Sequence, residues 1–274
     1  MAITAADISK LRNATGAGML DCKKALTDAD GDFDKAVELV RKKGLAIANK
    51  RQDREATEGA VIAKVTADGK RGALIVLNCE TDFVAKNEGF VKLAESFLAA
   101  ALEKNPANLE ELKALVVDGM AISDKTTEQT AVIGEKIDLS FYQSISAEQV
   151  VAYIHHGAKL STLVGFNKTL PEQVGKDVAM QVASMAPVAV SADEVPADVI
   201  AKEKEIAREL ARNEGKAENM LDKIADGRIQ KFFKESTLLE QAFVKDNKKS
   251  IKQYLTETQS GLTVTAFVRF SLNN

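Results

Sequence analysis

The sequence predicts an α+β protein: an N-terminal three-helix module, a core of two related α/β subdomains with antiparallel sheets, and an inserted antiparallel helical hairpin. Three observations carry this expectation. Apolar residues in the first fifty positions recur at helical spacing. From Gly59 they sit in β-branched runs divided by turn residues, and from Asp193 to Lys234 charge is concentrated around narrow apolar stripes.

The first helix is expected over Thr4 to Asn13, with Ile3, Ile8 and Leu11 as its apolar positions. A second, Met19 to Leu26, follows the Gly16-Ala17-Gly18 turn. In the third, Asp34 to Lys43, Phe33, Val37 and Val40 fall at i, i+4, i+7; Asp32 or Asp34 is its expected cap and Gly44 its expected stop. Helices this short bury little alone, so residues 1–54 read as a docking module, and the basic, polar stretch Asn49 to Glu58 as a linker.

At Gly59 the period changes. Ala60 to Thr66, the turn Ala67-Asp68-Gly69-Lys70, and Gly72 to Asn78 read as a β-hairpin, because Asp-Gly suits a turn needing positive φ. A loop, Glu80-Thr81-Asp82-Phe83-Val84, leads to a helix with Phe90, Leu93, Ala94, Phe97, Leu98 and Ala101 on one face. The same order recurs later. Val150 to Ile154 and Leu160 to Asn167 flank His155-His156-Gly157, and Pro171 to Met185 carries Val174, Val178, Val182 and Met185 on one face. The expected subdomains are therefore 55–142, and 143–190 with 235–274, the latter closed by the alternating strand Gly261 to Leu272.

Residues 191–234 interrupt the second subdomain. Between Asp193 and Lys234 there are 10 acidic and 9 basic residues in 42 positions, a density that marks a solvated arm. Val199, Ile206 and Leu210, then Met220, Leu221 and Ile224, form two narrow stripes on helices broken at Asn213-Glu214-Gly215, as in a coiled-coil hairpin.

Composition excludes several classes. The chain has 274 residues, 45% hydrophobic and 28% charged, with 4 Pro; this is unlike collagen-like, low-complexity or disordered sequences. With 37 Lys+Arg against 40 Asp+Glu the net charge is −3, too balanced for a footprint on nucleic acid or an anionic membrane, so neither is expected as a direct partner. Cys22 and Cys79 lie outside any metal-binding spacing and are expected to be reduced thiols. Asp7 and Lys10 interrupt what would be the apolar part of a secretory signal, and no apolar run is long enough to span a bilayer; a cytoplasmic protein is expected.

Nothing in the chain reads as an enzyme. There is no GxxxxGK[ST], GxGxxG, HExxH or GxSxG motif, and Gly16-Ala17-Gly18 lacks both the strand and the lysine of a phosphate loop. His155 and His156, the only histidines, would point to opposite faces of a strand and could not chelate one metal. His156 reads equally as a turn cap, a packed ring or a partner contact. Two further choices stay open: Phe83 is a core plug or a contact, and Met19 and Leu20 are module core or contact.

Two long, ungapped stretches carry a resemblance. Leu11-Arg12-Asn13-Ala14-Thr15-Gly16-Ala17-Gly18-Met19-Leu20-Asp21-Cys22-Lys23-Lys24-Ala25-Leu26 and Asn78-Cys79-Glu80-Thr81-Asp82-Phe83-Val84-Ala85-Lys86-Asn87 resemble the signatures of elongation factor Ts, the nucleotide exchange factor of bacterial elongation factor Tu. Weaker similarity at Ile133-Gly134-Glu135, His156-Gly157-Ala158-Lys159 and Phe267-Val268-Arg269-Phe270 extends it over nearly the whole chain. The resemblance implies the divisions read above. It also implies binding to Tu·GDP, entry of Thr81, Asp82, Phe83 and Val84 between helices of Tu's GTPase domain, disturbance of Tu's Mg²⁺ site, and loss of GDP.

On this resemblance Phe83 is the wedge and Asp82 its positioning partner, while Arg12, Met19, Leu20, Lys23, Ile133, Gly134 and His156 are expected Tu contacts. No cofactor, metal or catalytic residue is expected in the chain itself. The hairpin is expected to serve homodimerisation or a partner. A non-catalytic Tu-binding adaptor is the alternative. Some members of the family carry a further C-terminal helix, a contact not carried over to a sequence that stops at Asn274. Others have glutamine where this chain has Glu80, with no functional change expected.

Overall fold

Thr4 opens the first helix with a capping box: its hydroxyl accepts from the Asp7 N–H, and the Asp7 carboxylate accepts from the Thr4 N–H at 2.9 Å. The computed structural model describes residues 3–273. They divide into two units, 3–62 with 75–143 and 272–273, and 63–74 with 144–271.

In the first unit, α1 (Ala5–Thr15), α2 (Met19–Asp28) and α3 (Phe33–Arg51) close around Leu11, Cys22, Ala25, Leu26, Ala29 and Ala36, with Ile3, Ile8, Phe33, Val37 and Val40 at the edge. Then come β1 (Glu58–Val65) and β2 (Arg71–Cys79), of which residues 63–65 and 71–74 belong to the second unit, the one-turn helix α4 (Asp82–Ala85) and α5 (Glu88–Lys104). Buried on α5 are Phe90, Ala94, Phe97, Leu98 and Ala101, the face its spacing predicts, with Leu93 only partly covered. Residues 105–142, where the sequence pattern suggests no element, contain α6 (Leu109–Ala114), β3 (Val116–Val117), β4 (Met120–Ala121) and α7 (Ile122–Ile133), and begin β5 (Asp138–Ser146). The sheet order is β1-β2-β5.

Two expectations fail here. Gly44 does not stop α3, which continues to Arg51 and absorbs the start of the expected linker. The reason is packing: α3 lies against α7, and a Cβ on Gly44 would come within 2.8 Å of the Ala131 Cβ. The glycine is a point of close helix approach. The expected loop after β2 is the helical turn α4, capped by Thr81.

In the second unit, β6 (Gln149–Ile154), β7 (Leu160–Phe166) and, at the end of the chain, β10 (Val264–Ser271) form an antiparallel sheet in the order β10-β7-β6. Leu163 of β7 faces Ala152 on one side and Val268 on the other. Across it lies α8 (Glu172–Met185), burying Val178, Ala179 and Val182. Met185, expected on that face, is exposed at the helix end, where Ala186 takes the αL conformation and turns the chain away. His155 and His156 lie in the turn beyond β6 and not on the strand.

The hairpin is α9 (Ala197–Asn213) and α10 (Leu221–Ser236). Arg208 pairs with Asp222 and Lys204 with Asp226, which fixes the helices antiparallel. Its seam matches the predicted stripes only at Leu221. The buried residues are Ala207, Ala211, Leu221, Ala225 and Ile229, while Ile206, Leu210 and Met220 are exposed. Alanines let the helices approach closely, so the larger apolar residues of α9 are turned to the side.

After α10 come β8 (Ala242–Phe243), β9 (Asp246–Ser250) and α11 (Ile251–Thr258), joined to α8 by a polar network. The Asp177 carboxylate accepts from Lys245 Nζ (2.7 Å), Gln173 Nε2 (2.7 Å) and Tyr254 OH (3.0 Å). Burial opposes ionisation of Asp177, yet these three donors together hold its carboxyl below the ordinary aspartate range. A depressed folded value means stability that is complete above the unfolded pKa of about 3.9 and lost as pH falls through the folded one. Asp177→Asn is therefore expected to cost about 2 kcal/mol at pH 7, since half-exposed Lys245 can turn to water. Thermal melts should show the gap between variant and parent shrinking below about pH 4; a gap independent of pH would refute the charge-based account.

Candidate functional site

The segment that leaves β2 is held at both ends. Asn78 Nδ2 donates to the Glu58 carbonyl at 3.1 Å, and the Cys79 thiol donates to the Thr81 carbonyl at 3.1 Å. At the far end Asn87 caps α5, accepting from the Gly89 and Phe90 N–H groups. Between them Thr81 Oγ1 accepts from the Val84 N–H (3.4 Å) and so starts α4, while Asp82 and Lys86 pair at 2.6 Å along its length. Phe83, on this pinned turn, is 83% exposed. That removes the core-plug reading of Phe83; the plugs are Phe90 and Phe97.

A second loop backs the turn. Past α7, Gly134 takes a positive φ of 80°, a conformation that a side chain would strain. Beyond it, Glu135 accepts from the Thr81 N–H (3.0 Å) and Oγ1 (2.8 Å). Next to Thr81, the Glu80 carboxylate accepts from both the Lys136 N–H (2.7 Å) and Arg51 Nη1 (2.9 and 2.8 Å). Burial disfavours the Glu80 charge, but the Lys136 N–H and the Arg51 guanidinium more than offset it and keep the carboxyl below its ordinary range.

The thiol at the base of the turn is inert. Burial, with Glu135 and Glu58 nearby, pushes Cys79 up to about 12, so it is not a nucleophile at neutral pH. Cys22 is buried and free. Among the described residues no His/Cys/Asp/Glu group has a metal-binding arrangement, and no helix is long and apolar enough to cross a membrane.

The family model described as "Elongation factor TS" matches residues 80–274, from the base of this turn onward. The chain belongs to the elongation factor Ts family. It is 53% identical over 272 residues to elongation factor Ts of Amoebophilus asiaticus (strain 5a2), covering 98% of each chain. For elongation factor Ts of Christiangramia forsetii the figure is 51% over 272 residues, again 98% of each. For that of Porphyromonas gingivalis it is 50% over 274 residues, 100% of this chain and 99% of the relative.

Against this elongation factor Ts background, the residues singled out from the sequence fall into three places. Thr81 to Val84 and Ile133 with Gly134 come together through Glu135. Arg12, Met19, Leu20 and Lys23 are exposed around the α1–α2 turn, outside the module core. His156 is exposed in the β6–β7 turn of the second unit, next to His155, whose Nδ1 pairs with the Tyr153 hydroxyl at 2.8 Å. Sequence reasoning missed Arg51 and Glu135 as site residues and set no weight on Glu80. The available signal was the Gly134-Glu135-Lys136 run, in which an αL residue is followed by two charges.

Proposed function

We propose that the protein binds elongation factor Tu·GDP and drives GDP out by inserting Phe83 beside Tu's Mg²⁺ site. The observation that carries this reading is an aromatic ring 83% exposed on a turn fixed at both ends, which can enter a partner with little ordering cost. Mg²⁺ demands near-ideal octahedral geometry and bridges protein to nucleotide phosphates, so a small displacement of its ligands weakens GDP. The coupling is reciprocal: whatever factor the protein takes from GDP affinity, nucleotide takes from its own, and GTP then displaces it.

In this scheme residues 1–54 dock, with Arg12, Met19, Leu20 and Lys23 as contacts, and the turn Thr81 to Val84 performs exchange. Ile133, Gly134 and His156 are secondary contacts. The 191–234 arm, with Ile206 and Leu210 turned outward, serves self-association or a further partner, not the exchange contact. The remaining divisions are 55–142 and 143–190 with 235–274 as core subdomains, and the site of action is the cytoplasm.

Release of labelled GDP from Tu tests the proposal. Substoichiometric protein is expected to accelerate release with multiple turnovers. A protein that binds Tu without accelerating release would be an adaptor instead.

A further inference from the structure

The turn that carries Phe83 cannot hold its own shape. A helix of four residues has one turn, and an isolated turn gains too few hydrogen bonds to offset the ordering of its backbone. Its own cap and its Asp82–Lys86 pair need support from outside, and two carboxylates on interlaced segments supply it. The Glu135 carboxylate grips the Thr81 N–H and hydroxyl, fixing the residue that caps the turn, while the Glu80 carboxylate reaches back to the Lys136 N–H. Lys136 Nζ in turn donates to the Gln52 and Arg54 carbonyls at 2.7 and 3.0 Å. Arg51, the last residue of α3, closes the clasp on both oxygens of Glu80.

We propose that Glu135 and the Arg51–Glu80 pair are positioning residues for nucleotide exchange: they set the angle at which Phe83 is presented and join it to α3, so that docking and wedge move as one piece. This rests on the reading of Phe83 as the wedge. Three observations favour it over simple structural support. Both carboxylates fix the two residues that precede α4 and not a core element. Gly134 adopts its left-handed conformation immediately before Glu135, aiming it at Thr81. And Arg51 ends α3, so on the proposed docking role of residues 1–54 its guanidinium bridges that module directly to the base of the wedge. Gly134 then serves Glu135 as well as any direct contact.

The test uses the full-length protein. It contains no tryptophan, so Phe83→Trp supplies a single tryptophan at the wedge, excited selectively over the tyrosines, and Glu135→Ala, Glu135→Gln and Arg51→Met are compared with and without it. Glu135→Ala is expected to lower the maximal rate of GDP release about 10-fold, with the half-saturating concentration changed less than about twofold, as for lost positioning rather than lost contact. Anisotropy of the introduced indole should fall in the same variant, and Glu135→Gln, which keeps one acceptor oxygen, should restore much of both. Arg51→Met should act in the same direction. If Phe83→Ala slows release but Glu135→Ala does not, the clasp does not position the wedge. A slowed Glu135→Ala with unaltered indole anisotropy would overturn the inference too. If Phe83→Ala itself releases GDP at full rate, the wedge reading fails whatever Glu135 does.

Discussion

Phe83→Ala is expected to slow GDP release from Tu about 30-fold, the equivalent of roughly 2 kcal/mol for a buried aromatic anchor at a partner surface. The melting temperature should not change. Phe83 is 83% exposed in the free protein, and truncation of a side chain outside the core alters stability by no more than about 0.5 kcal/mol. The turn beneath it loses none of its bonds, since Thr81, Asp82 and Val84 are held by Glu135, Lys86 and the Thr81 cap, and none of these involves the ring. The whole effect should therefore fall on the partner. Measuring release rate and thermal melt on one sample decides the matter: normal release would remove Phe83 from the mechanism, and a drop in melting temperature would return it to packing.

Local pattern carried most of the fold into view. The α5 face, the Asp68-Gly69 hairpin, the β6–β7–β10 strands and the hairpin break are written in spacing that neighbouring residues alone determine. What escaped depended on contacts distant in sequence. Gly44 has the composition of a helix stop, and only the approach of Ala131 explains why α3 passes through it. Ile206 and Leu210 match a helical stripe as well as Ala207 and Ala211 do; hydrophobicity favours the larger pair, but close antiparallel packing selects the smaller. Within the site, Phe83 was legible as unusual because an aromatic follows an acid between strand and helix. The supporting groups were not: Arg51 and Glu135 are 29 and 54 residues from the groups they hold, and an isolated charge in a sequence says nothing about its partner.

Docking should separate from exchange at Leu20. This side chain is 83% exposed and Met19 beside it 46%, whereas the module core runs through Cys22, Ala25 and Leu26 on the other side of α2. Leu20→Asp is predicted to raise the half-saturating concentration for GDP release about 100-fold, because it replaces an apolar anchor with a charge that must be desolvated at the interface. Folding should be untouched: position 20 lies in the first turn of α2, where the helix dipole favours a negative charge. The maximal rate at saturating protein should also persist, since α3, Arg51, Glu80 and the Phe83 turn are unaltered. This pattern, affinity lost and rate kept, is the reverse of that expected for Glu135→Ala. An unchanged half-saturating concentration would show that Leu20 faces solvent in the complex, and a fall in maximal rate to the level of Phe83→Ala would place it in the exchange step rather than in docking.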